Sequence, residues 1–309
     1  MKKFLAAVLA LGLAVFPGCS QNTETENIET GESSEKTEAA ENQKEESSSS
    51  ANEEKEQKEV LGKIEVINGA QLERDIIPEI SEVYGITEEE VKEVFSNAES
   101  ELISPEAEGF RKMEGMISPG EHDITEESLN EQMKKFIDET EKRYSAIEAA
   151  VTNLNSLTAQ ERIILASVIE AECLGGEHRQ ETADVFLNRL SEGSKLQSCV
   201  TAEYALGYQR PYLTYDDTEI ESVYNTYYSE GLPAGPIGSF SDESLKSASG
   251  KSTDESLKYF FYDYVTGEMH FYSDFGQFDS DGMVTMERFK AESPVGEFDK
   301  INKQELYGK

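Results

Sequence analysis

The sequence predicts an α+β protein, in which helices and short strands are segregated rather than alternating. Two capping boxes, Thr87–Glu90 and Thr158–Glu161, each open a run with helical apolar spacing. Lys63–Ile67 alternates polar and apolar residues like a short strand and stops at a turn, Asn68-Gly69. Late in the chain, Lys258–Tyr262 and Met269–Tyr272 read as two antiparallel strands joined by a turn at Gly267.

The N-terminus has the layout of a secretory signal over residues 1–18: Lys2 and Lys3, an apolar stretch from Phe4 to Phe16, then Pro17-Gly18-Cys19-Ser20. The apolar run is too short for a comfortable membrane span. Cys19 resembles a bacterial lipobox cysteine, with Phe16 where Leu is usual, and is expected to be lipidated after cleavage. An ordinary signal cut nearby and an uncleaved anchor are the alternatives. All three place the remainder outside the cytoplasm.

Residues 19–60 then read as the lipidated cysteine and a disordered acidic tether. Between 20 and 59 there are 13 Glu and 4 Lys, and no apolar residue larger than Ile28. Such a segment has too little apolar area to offset the entropy of ordering it. As a coil it spans ~35 Å, and more because its charges repel.

The formal charge of the chain is −35, to which the first 59 residues contribute only −7 (six Lys against 13 Glu). That field repels nucleic acid and anionic lipid, so neither is an expected partner. Carbohydrate is not excluded, because hydrogen bonds and stacking recognise it. Of the 3 cysteines, Cys173 and Cys199 remain after Cys19, either as a disulfide or as small buried residues. His122, His178 and His270 are far apart in sequence, and neither a metal nor a cofactor is expected.

Residues 61–112 read as a small unit. After the strand, Leu72, Ile76, Ile77 and Ile80 recur at helical spacing, and Thr87 caps a second helix. Strand, helix, helix resembles a LysM-like module, a fold that binds N-acetylated glycans; a generic packing unit shows the same pattern. Residues 113–125 read as a loop or strand edge, and a helix follows from about Glu126 to Leu154, with Leu129, Met133, Phe136 and Ile137 on one side.

The helix opened by Thr158 is almost wholly apolar and ends in two glutamates. Glu170 shares the face of Ile163 and Ala166; Glu172 lies about 200° further round and cannot share it. A carboxylate in apolar surroundings keeps its proton to higher pH, which suits a general acid. The next helix, about Arg179 to Glu192, aligns Ala183, Phe186, Leu187 and Leu190, with Asn188 and Arg189 beside that stripe. From Lys195 to Ile237 turns dominate, rich in Tyr; with no Trp in the chain, sugar stacking would fall to Tyr and Phe.

Several segments are similar, in the same order, to the YceG-like (MltG) family of endolytic murein transglycosylases. They are Glu114-Gly115 with Pro119, Ala166-Ser167-Val168-Ile169-Glu170-Ala171-Glu172, and Val185-Phe186-Leu187-Asn188-Arg189-Leu190. Leu196-Gln197, Tyr224-Asn225-Thr226-Tyr227, Gly231–Ile237 and the hairpin with Tyr259-Phe260 and His270-Phe271 follow. The resemblance implies a LysM-like part over 61–112 and a mixed α+β YceG-like catalytic domain over 113–309. It places the catalytic glutamate on Glu170. Gln197, Asn188, Asn225 and Tyr227 are the expected substrate-binding residues; a loop-bracing hydrogen bond is the alternative for each, and a close one for Asn225 and Tyr227.

Departures cluster near the expected site. Cys199-Val200-Thr201 stands where the family has Asp-Pro-Thr, Cys173 replaces a Thr, and the Asp and Tyr of the family's segment after Gly115 are absent.

The expected reaction is cleavage of the β-1,4 bond between N-acetylmuramic acid and N-acetylglucosamine, with 1,6-anhydro ring formation. One carboxyl suffices for that route, because the nucleophile belongs to the substrate. The expected setting is the outer face of the cytoplasmic membrane, with a lipid anchor, peptidoglycan strands as substrate, and peptidoglycan synthases as possible companions in terminating nascent strands. A cell-wall-binding lipoprotein with a decayed catalytic part is the alternative. A solute-binding lipoprotein would need two similar α/β lobes, and no such repeat is present.

Overall fold

A computed structural model describes residues 59–303 and 306. The signal segment, Cys19 and nearly all of the acidic tether lie outside the described residues. Strand β1 (Val60–Val66) pairs antiparallel with β2 (Gly120–Thr125), with Ile64 opposite His122. The alternation read in the sequence is realised here: Ile64 and Val66 enter the core, while Lys63 and Glu65 face outward.

Between these strands lie a π-helical turn (Leu72–Ile76), α1 (Ile77–Tyr84) and α2 (Glu88–Phe95). The N–H of Ile77 bonds to Leu72 O, and Pro78 has no N–H for the i−4 carbonyl, so the first turn is wide. Thr87 and Glu90 form the capping box expected for α2. The unit is therefore β1-α1-α2-β2. Its closing strand comes from the segment read as loop or strand edge, so it runs past residue 112.

α3 (Leu129–Ala150) starts at a capping box, Ser128 with Glu131. It begins later than Glu126 because Glu126 N donates to Glu59 O and extends the strand pairing. α4 (Ala159–Glu172) has the expected Thr158 box and is buried at every position from Arg162 to Glu170. Such a helix is enclosed on all sides, and α5 (Arg179–Ser191) and α8 (Asp242–Ser249) pack against it.

α6 (Cys199–Leu206) and the short α7 (Tyr215–Thr218) lie in the stretch where turns were expected to dominate. α6 is buried from Val200 to Tyr204, so no polar face marks its period in the sequence. β3 (Tyr259–Asp263) and β4 (Glu268–Tyr272) form the expected hairpin, with Phe260 opposite Phe271. α9 (Phe275–Glu292) packs on this hairpin.

Two glycines fix how the β1-α1-α2-β2 unit seats on the rest. Gly115 has φ +72, and a Cβ there would lie 2.9 Å from Pro236 Cβ. At Gly238 a Cβ would lie 3.1 Å from the carbonyl of Ala70. This close approach lets Ser239 exchange backbone hydrogen bonds with Gly69 and Ala70. The segment after Pro236 is thereby fastened, and it leads directly to Ser241 at the start of α8.

Candidate active site at the end of helix α4

The two glutamates that end α4 point into different surroundings. Glu170, 8% exposed, opens on a cleft of about 810 Å³. Its carboxylate accepts from Arg179 Nη2 at 2.7 Å, from Ser244 Oγ at 2.6 Å, and from both the N–H (2.9 Å) and the hydroxyl of Ser241. Burial alone would raise its pKa, but Arg179, Ser241 and Ser244 together outweigh it, and the group falls below the ordinary glutamate value. A carboxylate fixed as an anion and saturated with donors is a poor proton donor. Glu170, the residue expected to be the acid, sits as the anionic half of a buried ion pair with Arg179.

Glu172 faces a separate cavity of about 170 Å³, walled by Arg189, Gln197, Ser198, Cys199, Tyr227 and Lys303. Phe186, Leu196, Phe260 and Phe261 give it an apolar side. Its carboxylate accepts a short hydrogen bond from Ser198 Oγ at 2.6 Å, and the Val200 N–H also favours its ionised form. The surrounding protein raises its pKa; Ser198 and the charge of Lys303 oppose that rise without cancelling it. The result is a carboxyl that holds a proton more readily than a free glutamate and lines an open cavity. This is the protonation behaviour expected of a general acid, at the neighbouring residue.

Local structure explains why Ser198 reaches it. Gln197 adopts φ +47, a left-handed conformation uncommon for residues other than glycine. The strain is held by Thr226, whose carbonyl accepts from Gln197 N (3.2 Å) and whose hydroxyl accepts from Ser198 N (3.0 Å). Thr201 Oγ1 lies 2.8 Å from the same hydroxyl. The bend throws the Ser198 side chain toward α4 and starts α6.

Of the expected substrate-binding residues, Gln197 and Tyr227 do line this cavity. Asn188 and Asn225 do not. The Asn188 amide donates to the carbonyls of Asp254 (2.8 Å) and Leu257 (2.9 Å), tying α5 to the loop before β3. The Asn225 amide donates to Thr218 O and Ile220 O, both at 2.9 Å, and its oxygen accepts from Tyr227 N. Both side chains are buried and their amide hydrogens committed, so they brace loops instead of presenting donors to a ligand.

Cys173 and Cys199 are both free thiols. Cys199 lies 3.2 Å from Tyr227 Oη, and burial pushes its pKa up to about 11, so it is a neutral thiol in the cavity wall. Arg189 donates to Lys258 O and Leu196 O and shapes the rim. Among the described residues no group of three or more His, Cys, Asp or Glu could hold a metal ion.

Ser198, Glu203 and Lys303 escaped the sequence reading. Ser198 precedes α6, whose outline left no periodic trace, and Lys303 arrives from 131 positions after Glu172. The one available signal was the second carboxyl itself: the reading separated the faces of Glu170 and Glu172 correctly but could not tell which opens on a cavity.

The comparisons agree with this architecture. Residues 20–281 match the model of the YceG-like family. A protein of Streptococcus pneumoniae named endolytic murein transglycosylase is 33% identical over 169 residues, 52% of this chain and 30% of the relative. A Bacillus subtilis protein of the same name is 31% identical over 138 residues, 44% of this chain and 38% of the relative. The matches thus span about a third of these relatives' length. A crystal structure of a YceG-like protein from Listeria monocytogenes superposes with a TM-score of 0.61 at 22% identity, over 71% of this chain and 75% of the other, which shows a shared fold. With a family match over most of its length, this chain belongs to the YceG-like family.

Proposed function

We propose that this chain is a lytic transglycosylase of peptidoglycan with Glu172 as its single acid and base. The observation that carries the reading is a carboxyl of raised proton affinity, held by Ser198, in a cavity beside Gln197 and Tyr227. The names of the Streptococcus and Bacillus relatives support the substrate class.

In this mechanism, protonated Glu172 donates to the glycosidic oxygen between N-acetylmuramic acid and N-acetylglucosamine as the C1–O bond breaks. The resulting carboxylate then takes the proton of the muramic C6 hydroxyl, whose oxygen bonds to C1 and closes the 1,6-anhydro ring. The proton count balances, and no water is consumed. A hydrolase would need a second carboxyl to activate water or attack C1. Glu203, whose charge reaches Glu172, is an ill-suited candidate, because Lys303 Nζ (2.8 Å) and Arg210 N (3.0 Å) hold its Oε1.

The same reading assigns residues 61–112, with the strand that closes the unit, to glycan binding in the manner of a LysM-like module, and 113–309 to catalysis. It places the protein on the outer face of the cytoplasmic membrane, held by lipid on Cys19 and spaced by the tether, where it would terminate nascent strands beside a peptidoglycan synthase.

The test is digestion of purified peptidoglycan by the protein and its Glu172→Gln and Glu170→Gln variants, with products examined by mass spectrometry. Anhydro-muramic ends that fall by about 100-fold or more in Glu172→Gln alone support the assignment. Loss confined to a folded Glu170→Gln would return the acid to Glu170. Reducing ends would mean hydrolysis. Glycan binding without cleavage would favour a decayed binding platform.

A further inference from the structure

Lys303 is 5% exposed, an unusual fate for a lysine, and its side chain lines the cavity that holds Glu172. It lies past residue 281, where the family match stops. The chain after α9 is fastened to the loop between α6 and α7 at several points. Tyr212 N donates to Glu297 O, Arg210 to Phe298 O, Ile301 N to Gln209 O, and Lys303 N to Gln209 Oε1. These bonds carry the ammonium inward, to 2.8 Å from Glu203 Oε1 and 5.6 Å from the ring centre of Tyr264.

A buried ion pair of this kind is a weak source of stability, because desolvating two charges costs about as much as their attraction returns. Its place in the cavity wall calls for another explanation. We propose that Lys303 is a positioning residue for Glu172: a buried cation, delivered by the segment after α9, that favours the Glu172 carboxylate formed when the proton leaves. This rests on the transglycosylase reading above for its consequence in catalysis, but not for its geometry.

The groups that face Glu172 are Cys173 just past α4, Arg189 on α5, Cys199 and Glu203 on α6, Tyr227 in its loop, and Lys303. Both thiols and the phenol are neutral, since burial raises all three. Arg189 spends its guanidinium on two carbonyls, and Glu203 pushes the Glu172 proton affinity up. Lys303 pulls it down and stabilises the anion between proton donation and return.

The experiment follows the Glu172 carboxyl directly, by NMR titration of carboxyl-labelled protein, with its signal identified by loss in Glu172→Gln. The wild type is compared with Lys303→Arg, Lys303→Met and the double variant Lys303→Met/Glu203→Gln; the last leaves no unpaired buried charge and guards against misfolding. The expected result is a Glu172 titration moved to higher pH in Lys303→Met, by less in the double variant, which also removes the opposing charge of Glu203, and close to wild type in Lys303→Arg. The alkaline limb of activity should move with it. A Lys303→Met protein that titrates like wild type, or a double variant that titrates below it, overturns the proposal and leaves Lys303 as a partner of Glu203 only. A shifted titration in a protein that releases no anhydro product would sustain the coupling and sink the transglycosylase reading instead.

Discussion

Glu170 and Glu172, two residues apart at the end of α4, hold their protons in opposite ways. Arg179 Nη2 stands 2.7 Å from Glu170 and keeps it ionised, whereas Glu172 accepts from the Ser198 hydroxyl at 2.6 Å, and burial raises its pKa. One helix end thus supplies a structural anion on one side and a proton-holding carboxyl on the other.

Replacing Glu170 by Gln leaves Arg179 without its buried counter-charge and should cost about 3 kcal/mol in urea unfolding. Because the folded-state pKa of Glu170 lies below its ordinary value, its contribution is present above the usual glutamate pKa and fades as pH falls through the folded one. The variant should lose that acid-side dependence, and its activity per folded molecule should stay near wild type.

Glu114 behaves in the opposite sense. It is 1% exposed, accepts from Leu72 N (3.1 Å) and Tyr204 Oη (2.8 Å), and burial raises its pKa to about 7. Folding therefore favours its protonated form, and its contribution is full below pH 4.5 and lost as pH rises to about 7. The loss is on the order of 3 kcal/mol. Unfolding free energies of wild type and Glu114→Gln, measured at pH 5 and pH 8, should diverge by that amount, with the variant showing the flatter profile.

Removing the Ser198 hydroxyl by Ser198→Ala takes away the bond that favours ionised Glu172. Glu172 should then titrate at higher pH. The alkaline limb of the pH–rate profile moves up with it, since the protonated form starts the reaction. A limb that stays in place would show that Ser198 does not control this proton.

Asn188→Ala and Asn225→Ala should each cost about 1–3 kcal/mol of stability by leaving buried carbonyls unpaired. Affinity for glycan fragments, measured on folded protein by calorimetry, should hold within a factor of two or so. A large loss of affinity with stability intact would restore them to the binding surface.

Much of the fold was legible locally. The Thr87–Glu90 and Thr158–Glu161 boxes start α2 and α4 where expected, because a cap needs only residues three apart. The 259–272 hairpin likewise follows from alternation and a nearby turn. β2 was only half visible: it lacks a partner until β1, about 60 positions earlier, pairs with it. α6 stayed hidden because burial on all sides erases the contrast on which a helical period depends.

The sequence by itself determined that α4 is a buried helix ending in two carboxyls, and that helical geometry keeps those carboxyls on different faces. Tertiary structure alone decided their surroundings. Arg179 and Ser241 with Ser244 converge on Glu170, while the strained Gln197 turn and a lysine from residue 303 converge on Glu172. Proton affinity is set by whatever charges, donors and protein mass surround a group, and those arrive from distant parts of the chain.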